Sequence, residues 1–267
     1  MKTKVSVLGV CIMFFVIGQV QRAQAWGMIG HRVIAEIAEN HLNKKAKKNI
    51  QKIIGDQKLA YWSNWADFIK SSPDSTLNST GSWHFVNASA NLTFDEFNKE
   101  LQASSENNLY KSYGRIKAEA KSKAIVSDVK RQEQLYYILH LFADAHQPMH
   151  VGRPEDLGGN KIPVTFFGRK SNIHRVWDSD LVDNDNYSYT EYARVLDIYK
   201  PKEYKKYLVS FEQALYEAHQ LANKIYDGVE PDDELSYRYI FDYKYLMEDA
   251  LYKAGIRLAA ELNEIYG

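Results

Sequence analysis

The sequence predicts a mainly α-helical, single-domain protein with one small β-hairpin. Three observations lead there. Apolar residues recur at spacings of three and four through most of the 267-residue chain. No Gly/Ser-rich linker, internal repeat or low-complexity block divides it. A single stretch, residues 161–167, departs from the helical pattern, with β-branched and aromatic residues around Pro163.

Taken in order, the first 25 residues read as an export signal rather than as part of the fold. Met1-Lys2-Thr3-Lys4 is a short basic region, Val5 to Val20 is apolar, and Ala23-Gln24-Ala25 is a small-x-small cleavage sequence, so cleavage is expected before Trp26. That leaves one domain over 26–267 and an exported, periplasmic or secreted protein, with no membrane contact after cleavage. The apolar stripe Ile29, Val33, Ile34, Ile37, Ala38 predicts a first helix. Ile50, Ile53 and Ile54 predict a second that stops at Gly55. Thr93-Phe94-Asp95-Glu96 has the form of a capping box, with Phe97 and Leu101 following. Leu135 to Asp144 is strongly apolar, as a core helix would be. Lys161 to Phe167 should pair with the stretch after Gly168. Phe211, Leu215, Ala218, Leu221, Ala222 and Ile225 mark an amphipathic helix, and Leu246 to Ile265 a last one.

Composition excludes some chemistry. The one cysteine, Cys11, lies in the signal segment, so the mature chain has neither disulfide nor thiolate ligand. The 34 basic and 34 acidic residues balance. Cleavage removes Lys2, Lys4 and Arg22, which leaves 31 against 34 and a formal charge of −3. Overall basicity therefore argues neither for nor against a nucleic-acid substrate.

The histidines are more informative. His140 and Asp144 stand four apart in a proline-free apolar run, which puts both side chains on one helix face. Pro148 disfavours helix at Gln147, so the chain should turn and return His150 to the same region. His174 and Asp178 form a second pair with the same spacing. Neutral imidazole and ionised carboxylate are zinc donors where thiolates are absent. Two pairs and a linking histidine exceed the four positions of one tetrahedral zinc, and multinuclear sites of this kind mostly act on phosphate esters. Further candidate ligands are Trp26, through the α-amine that cleavage would create and its own carbonyl oxygen, with His31, Asp67 and His84.

These motifs together resemble the S-one/P-one nuclease family, secreted trinuclear-zinc nucleases. The resemblance runs from Trp26 to about Asp180. It is carried by the Trp26-Gly27 start, Gly30-His31, Trp65-Ala66-Asp67, His84-Phe85, the block from His140 through Asp144, Gln147-Pro148 and His150, Gly158-Gly159-Asn160-Lys161, and His174 with Trp177-Asp178. It implies the helical fold of that family and of zinc phospholipase C, and three zinc ions per chain. Asp67, His84, His140 and Asp144 would hold the first; His150, His174 and Asp178 the second; the Trp26 amine and carbonyl, His31 and a bridging Asp144 the third. It further implies hydrolysis of RNA and single-stranded DNA to 5′-phosphate products, with 3′-nucleotidase activity, by a zinc-activated water. Asp67 would orient that water, and Asp144 would serve two ions. Lys70 stands where fungal members carry an arginine thought to meet the phosphate, and supplies charge without the planar fork. Phe85 would stack a base. Asn87 replaces a base-contacting aspartate, and Asn160 belongs to the substrate side of the glycine motif. No stable protein partner is expected.

Two rival readings differ in class. A zinc phospholipase C would close its second pair with glutamate, against Asp178 here. A non-catalytic exported zinc-binding protein would not need open positions on three-ligand ions. The remaining histidines read more blandly: His41 as a helix terminus, His219 as a solvated position on an amphipathic helix, His146 as a neighbour of the site. The lysines 44, 45, 47, 48 and 52 read as a solvated face. Asn78, Asn87, Asn91 and Asn186 lie in glycosylation sequons.

Overall fold

The computed structural model describes residues 26–104, 107–122, 124–198 and 201–267. The expected export signal at 1–25, with Cys11, lies outside the described residues. Helices begin where the sequence supplies caps. Asn43 accepts from the amides of Lys45 and Ala46 to start Lys44–Ile54, which ends at Gly55. The capping box at Thr93 forms as read, with Glu96 returning to the Thr93 amide, and opens Phe94–Ala103. Ser127, Ser188 and Ser210 start Asp128–Asp144, Tyr189–Leu196 and Phe211–Tyr226 in the same way.

Three helices build the frame around the site. Met28–Asn40 packs along the 30-residue helix Tyr237–Tyr266, its apolar stripe buried between them. Asp128–Asp144 enters from solvent, and every residue from Gln134 to Asp144 is buried. It therefore carries its polar side chains His140 and Asp144 into the protein interior, where a polar group must find partners. Leu109–Lys121 packs beside it, and Phe211–Tyr226 covers the Pro148–Val151 turn.

The hairpin is present. β1 (Pro163–Phe166) pairs antiparallel with β2 (Arg169–Asn172), Pro163 opposite Asn172 and Phe166 opposite Arg169. The two-residue turn uses positive φ at both Phe167 (48°) and Gly168 (72°), the conformation whose twist matches a hairpin. A third strand was not anticipated: β3 (Glu234–Leu235) lies parallel to β1, giving the order β2-β1-β3. Among the described residues no helix is long and apolar enough to cross a membrane.

His219 departs from its sequence reading. It is buried, not solvated: its ring stacks at 5.0 Å on Phe97, and Asn223 lies 3.1 Å from Nε2. The lysine cluster is exposed as expected. His41 does terminate the first helix, and its Nε2 also donates to Asp197 at 2.8 Å.

Candidate metal centre

The ligand-bearing elements converge because each ends or turns at its functional residue. Asp144 closes the Asp128–Asp144 helix. Gln147 caps the short Pro148–Val151 turn by accepting from the Met149 amide, and this returns His150 to within 3.5 Å of Asp144 and 3.6 Å of Asp178. The second pair sits on Ile173–Arg175 and the wider turn Val176–Asp180, with His174 Nε2 3.2 Å from Asp178 Oδ2. Among the described residues three groups could hold a metal ion: His31, His140 and Asp144; Asp67, His84 and His140; His150, His174 and Asp178. In each group the donor atoms lie within 4.8 Å of one another.

Asp144 is the hinge of the cluster. It is fully buried, and its two oxygens face different groups. Oδ2 lies 3.0 Å from His84 Nδ1 and 3.4 Å from His140 Nε2. Oδ1 lies 3.2 Å from His31 Nε2 and 3.5 Å from His150 Nδ1. Trp26 is buried against the same cluster, its carbonyl oxygen in contact with His31 Nδ1. Gly27 donates its amide to the Asp178 carbonyl at 2.5 Å, which ties the start of the domain to the second pair.

The donor set suits metal binding, judged from its own hydrogen bonds. His140 Nδ1 donates to the Ser63 carbonyl (2.6 Å) and His174 Nδ1 to the Gly158 carbonyl (2.7 Å). A backbone acceptor on one ring nitrogen fixes the tautomer and leaves a lone pair on the other, the usual arrangement behind a metal-ligating histidine. Buried atoms without a hydrogen-bond partner among the described residues include His31 Nε2, His150 Nδ1, His174 Nε2 and Asp144 Oδ1. Lone pairs gathered this closely, out of water, call for cations between them.

Ionisation points the same way for His31, His84 and the three carboxylates, whereas His140 and His174 are drawn towards the protonated form by the carboxylates beside them, a proton that a bound cation would displace. Burial pushes His84 down to about 4, and burial together with His140 lowers His31, so both rings are neutral donors near pH 7. Burial acts against His140 as well, but Asp144 and Asp67 outweigh it and raise its pKa; Asp178 does the same for His174. Burial disfavours the Asp144 carboxylate, yet His140 and His150 hold it well below the usual range. His140 and Lys70 lower Asp67 in the same way, and His174 lowers Asp178. All three carboxylates are thus ionised, as ligands must be.

The sequence model of the S1/P1 Nuclease family matches residues 26–267. The chain belongs to this family. Endonuclease 2 of Arabidopsis thaliana is 25% identical over 274 residues, covering 91% of each chain. Nuclease S1 of Aspergillus oryzae is 27% identical over 168 residues, which cover 60% of this chain and 56% of that protein. Nuclease P1 of Penicillium citrinum is 28% identical over 162 residues, 58% of this chain and 57% of its own. As an S1/P1 nuclease the protein is a hydrolase of phosphodiester bonds, with buried His/Asp groups suited to metal.

Of the sequence-derived residues, Trp26, His31, Asp67, His84, His140, Asp144, His150, His174 and Asp178 come together in this S1/P1 cluster. Lys70 joins them at one edge, its Nζ 2.5 Å from Asp67 Oδ1. Phe85 follows His84 with its ring 41% exposed, and Asn87 is half-buried two positions on. The Asn160 amide donates to the Leu157 carbonyl (2.8 Å) in the loop that carries Gly158. Sequence reasoning missed the orienting groups. Gln147 Nε2 donates to Asp178 Oδ1, and Gln147 was visible in the motif without a role. The Ser63 carbonyl left no signal, since every residue type has one. Gly158 left a partial signal: its φ is +64°, and a Cβ there would collide with the Met149 carbonyl.

Proposed function

We propose that this S1/P1 nuclease is a zinc-dependent enzyme that cleaves RNA and single-stranded DNA to 5′-phosphate products and removes 3′-phosphates from nucleotides. The observation that carries this reading is the division of the Asp144 oxygens between His84 with His140 and His31 with His150. A carboxylate shared in this way suits a multinuclear centre, because its two oxygens can each meet a cation. In this reading Asp67, His84, His140 and Asp144 hold one zinc, and His150, His174 and Asp178 a second. The α-amine and carbonyl of Trp26, with His31 and Asp144, hold the third. The amine exists only after residues 1–25 are removed, so export and activation coincide.

Zinc, when bound, supplies Lewis acidity towards phosphate oxygens and brings the pKa of water towards neutrality. The chain supplies orientation and charge. Backbone carbonyls of Ser63 and Gly158 fix the rings of His140 and His174. Gln147 anchors one Asp178 oxygen and leaves Oδ2 towards His174. Asp67, held ionised, accepts a hydrogen bond from the attacking water. Lys70, paired with Asp67, adds positive charge for the phosphate. The half-exposed Phe85 ring offers a stacking face tolerant of base identity. Asn87 supplies an amide donor and acceptor on the substrate side, and Asn160, whose NH2 donates to the Leu157 carbonyl, offers its amide oxygen as an acceptor.

The test is a product analysis. Protein beginning at Trp26 and loaded with zinc is given RNA, single-stranded DNA, a 3′-mononucleotide and phosphatidylcholine in parallel. The expected result is 5′-phosphorylated fragments from both nucleic acids and inorganic phosphate from the mononucleotide. Turnover of phosphatidylcholine alone would move the protein to the phospholipase class. Full zinc loading without any hydrolysis would leave only a zinc-binding role.

A further inference from the structure

We propose that Phe68 is a second nucleobase platform, so that two neighbouring bases of one single strand stack on Phe68 and Phe85. This rests on the nuclease reading above and deepens it by fixing a substrate that spans more than one nucleotide.

The aromatic residues of positions 61–85 fall into two kinds. Trp62 stacks on Tyr136 at 4.3 Å, Trp65 meets Tyr136 and Tyr137, and Trp83 meets Tyr137 and lies under Arg115. These rings are spent on packing. Phe68 is 78% exposed and Phe85 41%, and among the described residues no ring contact is recorded for either. Both follow a candidate ligand directly: Phe68 follows Asp67, and Phe85 follows His84. Asp67 and His84 belong to one group whose donor atoms lie within 4.8 Å. Ile69–Ser71, which follows Phe68, packs against Ser79–His84, which precedes Phe85.

Exposure alone decides nothing. Tyr237, Phe241 and Tyr245 are as exposed on the last helix, but no candidate ligand adjoins them in the chain. What distinguishes Phe68 is that it directly follows the candidate ligand Asp67 at the end of the short Trp65–Phe68 helix, and that Lys70, paired with Asp67, follows two residues on. Free aromatic faces beside a positive group are the elements of single-strand recognition. They would also disfavour duplex, whose bases are stacked on one another and present no free face.

The experiment compares a dinucleotide with a 3′-phosphorylated mononucleoside, using zinc-loaded wild type, Phe68→Ala, Phe68→Trp and Phe85→Ala. Loss of one stacked base corresponds to about tenfold in KM or more. Phe68→Ala is expected to raise the dinucleotide KM about tenfold relative to its effect on the mononucleotide, with zinc content unchanged and recovery in Phe68→Trp. Phe85→Ala should raise both. Equal KM changes on the two substrates, or none on either, would overturn the second platform. So would a wild-type dimer in sedimentation that Phe68→Ala dissociates, since the ring would then belong to an interface. Wild type inactive on both substrates would instead remove the nuclease reading itself, an outcome the variants do not imitate.

Discussion

Asp144→Asn isolates the shared carboxylate. In the structure its two oxygens face four imidazoles at 3.0 to 3.5 Å, two on each side. Asparagine keeps the shape and one acceptor but loses the charge, and its NH2 must point protons at one pair of ring nitrogens. Whichever way the amide turns, one ion loses its carboxylate and the other keeps a neutral oxygen. At free zinc about 100-fold above Kd, each bound ion contributes roughly 2.7 kcal/mol of stability, so two ions contribute about 5 kcal/mol. For a domain of this size, 1 kcal/mol moves Tm by roughly 2–4 °C, so the zinc-loaded variant should melt about 10–20 °C below wild type. In chelator the gap should shrink, because the ions that Asp144 serves are gone from both proteins. Zinc per chain after gel filtration should fall from three to one, one ion being expected for each group. Turnover on single-stranded DNA should drop by about 100-fold or more, beyond the usual effect of losing an outer partner of a ligand. A variant that keeps all three ions and near-normal turnover, or loses one ion only, would refute the bridging role.

Other perturbations probe other parts. One glycine added before Trp26 converts the α-amine to a planar amide, a poor ligand; the extended protein should lose about one zinc of three and most turnover, and three tightly held ions would count against the amine. Chelation should lower Tm of the wild type, since metal bound only by the native state adds to its stability; an unchanged Tm after verified zinc removal would uncouple metal from fold. Phe85→Ala should weaken mononucleotide binding by about 1–3 kcal/mol while leaving zinc content intact, and unchanged KM values would assign that ring to packing. Burial lowers the His219 pKa from its ordinary 6.5, so the native state keeps the ring neutral while the unfolded chain takes up a proton. That stability is present above about pH 6.5 and is lost as pH falls, so zinc-free His219→Leu should show a shallower fall of Tm between pH 7 and 4; parallel slopes would contradict it.

Much of this was legible in the sequence because period and spacing carry it. The His140–Asp144 and His174–Asp178 pairs needed only helical geometry, and the return of His150 followed from Pro148. The Thr93 box and the Pro163 hairpin were equally local. The misses have physical causes. The last helix begins at Tyr237, earlier than its apolar stripe at Leu246 indicated, because its first turns expose Tyr237, Phe241 and Tyr245 and so lack a clean apolar period. β3 pairs two residues with a strand some seventy positions away, and no local pattern encodes such a partner. His219 lies on an amphipathic helix whose polar-looking position is covered by Phe97, a contact set by tertiary packing. The division of the Asp144 oxygens also depends on three-dimensional placement; the sequence suggested sharing only through a family resemblance.

The rings of His140 and His174 are steered by main-chain oxygens, those of Ser63 and Gly158. A main-chain oxygen survives any substitution that leaves the local backbone path unchanged. Position 63 is therefore open to drift in its side chain, subject to the room around it, whereas position 158 is not, because its left-handed backbone and the nearby Met149 carbonyl exclude a Cβ. Heritable precision at such a centre resides in the course of the chain more than in a roster of supporting side chains. Substitution on the scale that separates this chain from Endonuclease 2, three-quarters of the aligned residues, therefore need not disturb the two oxygens that steer these rings.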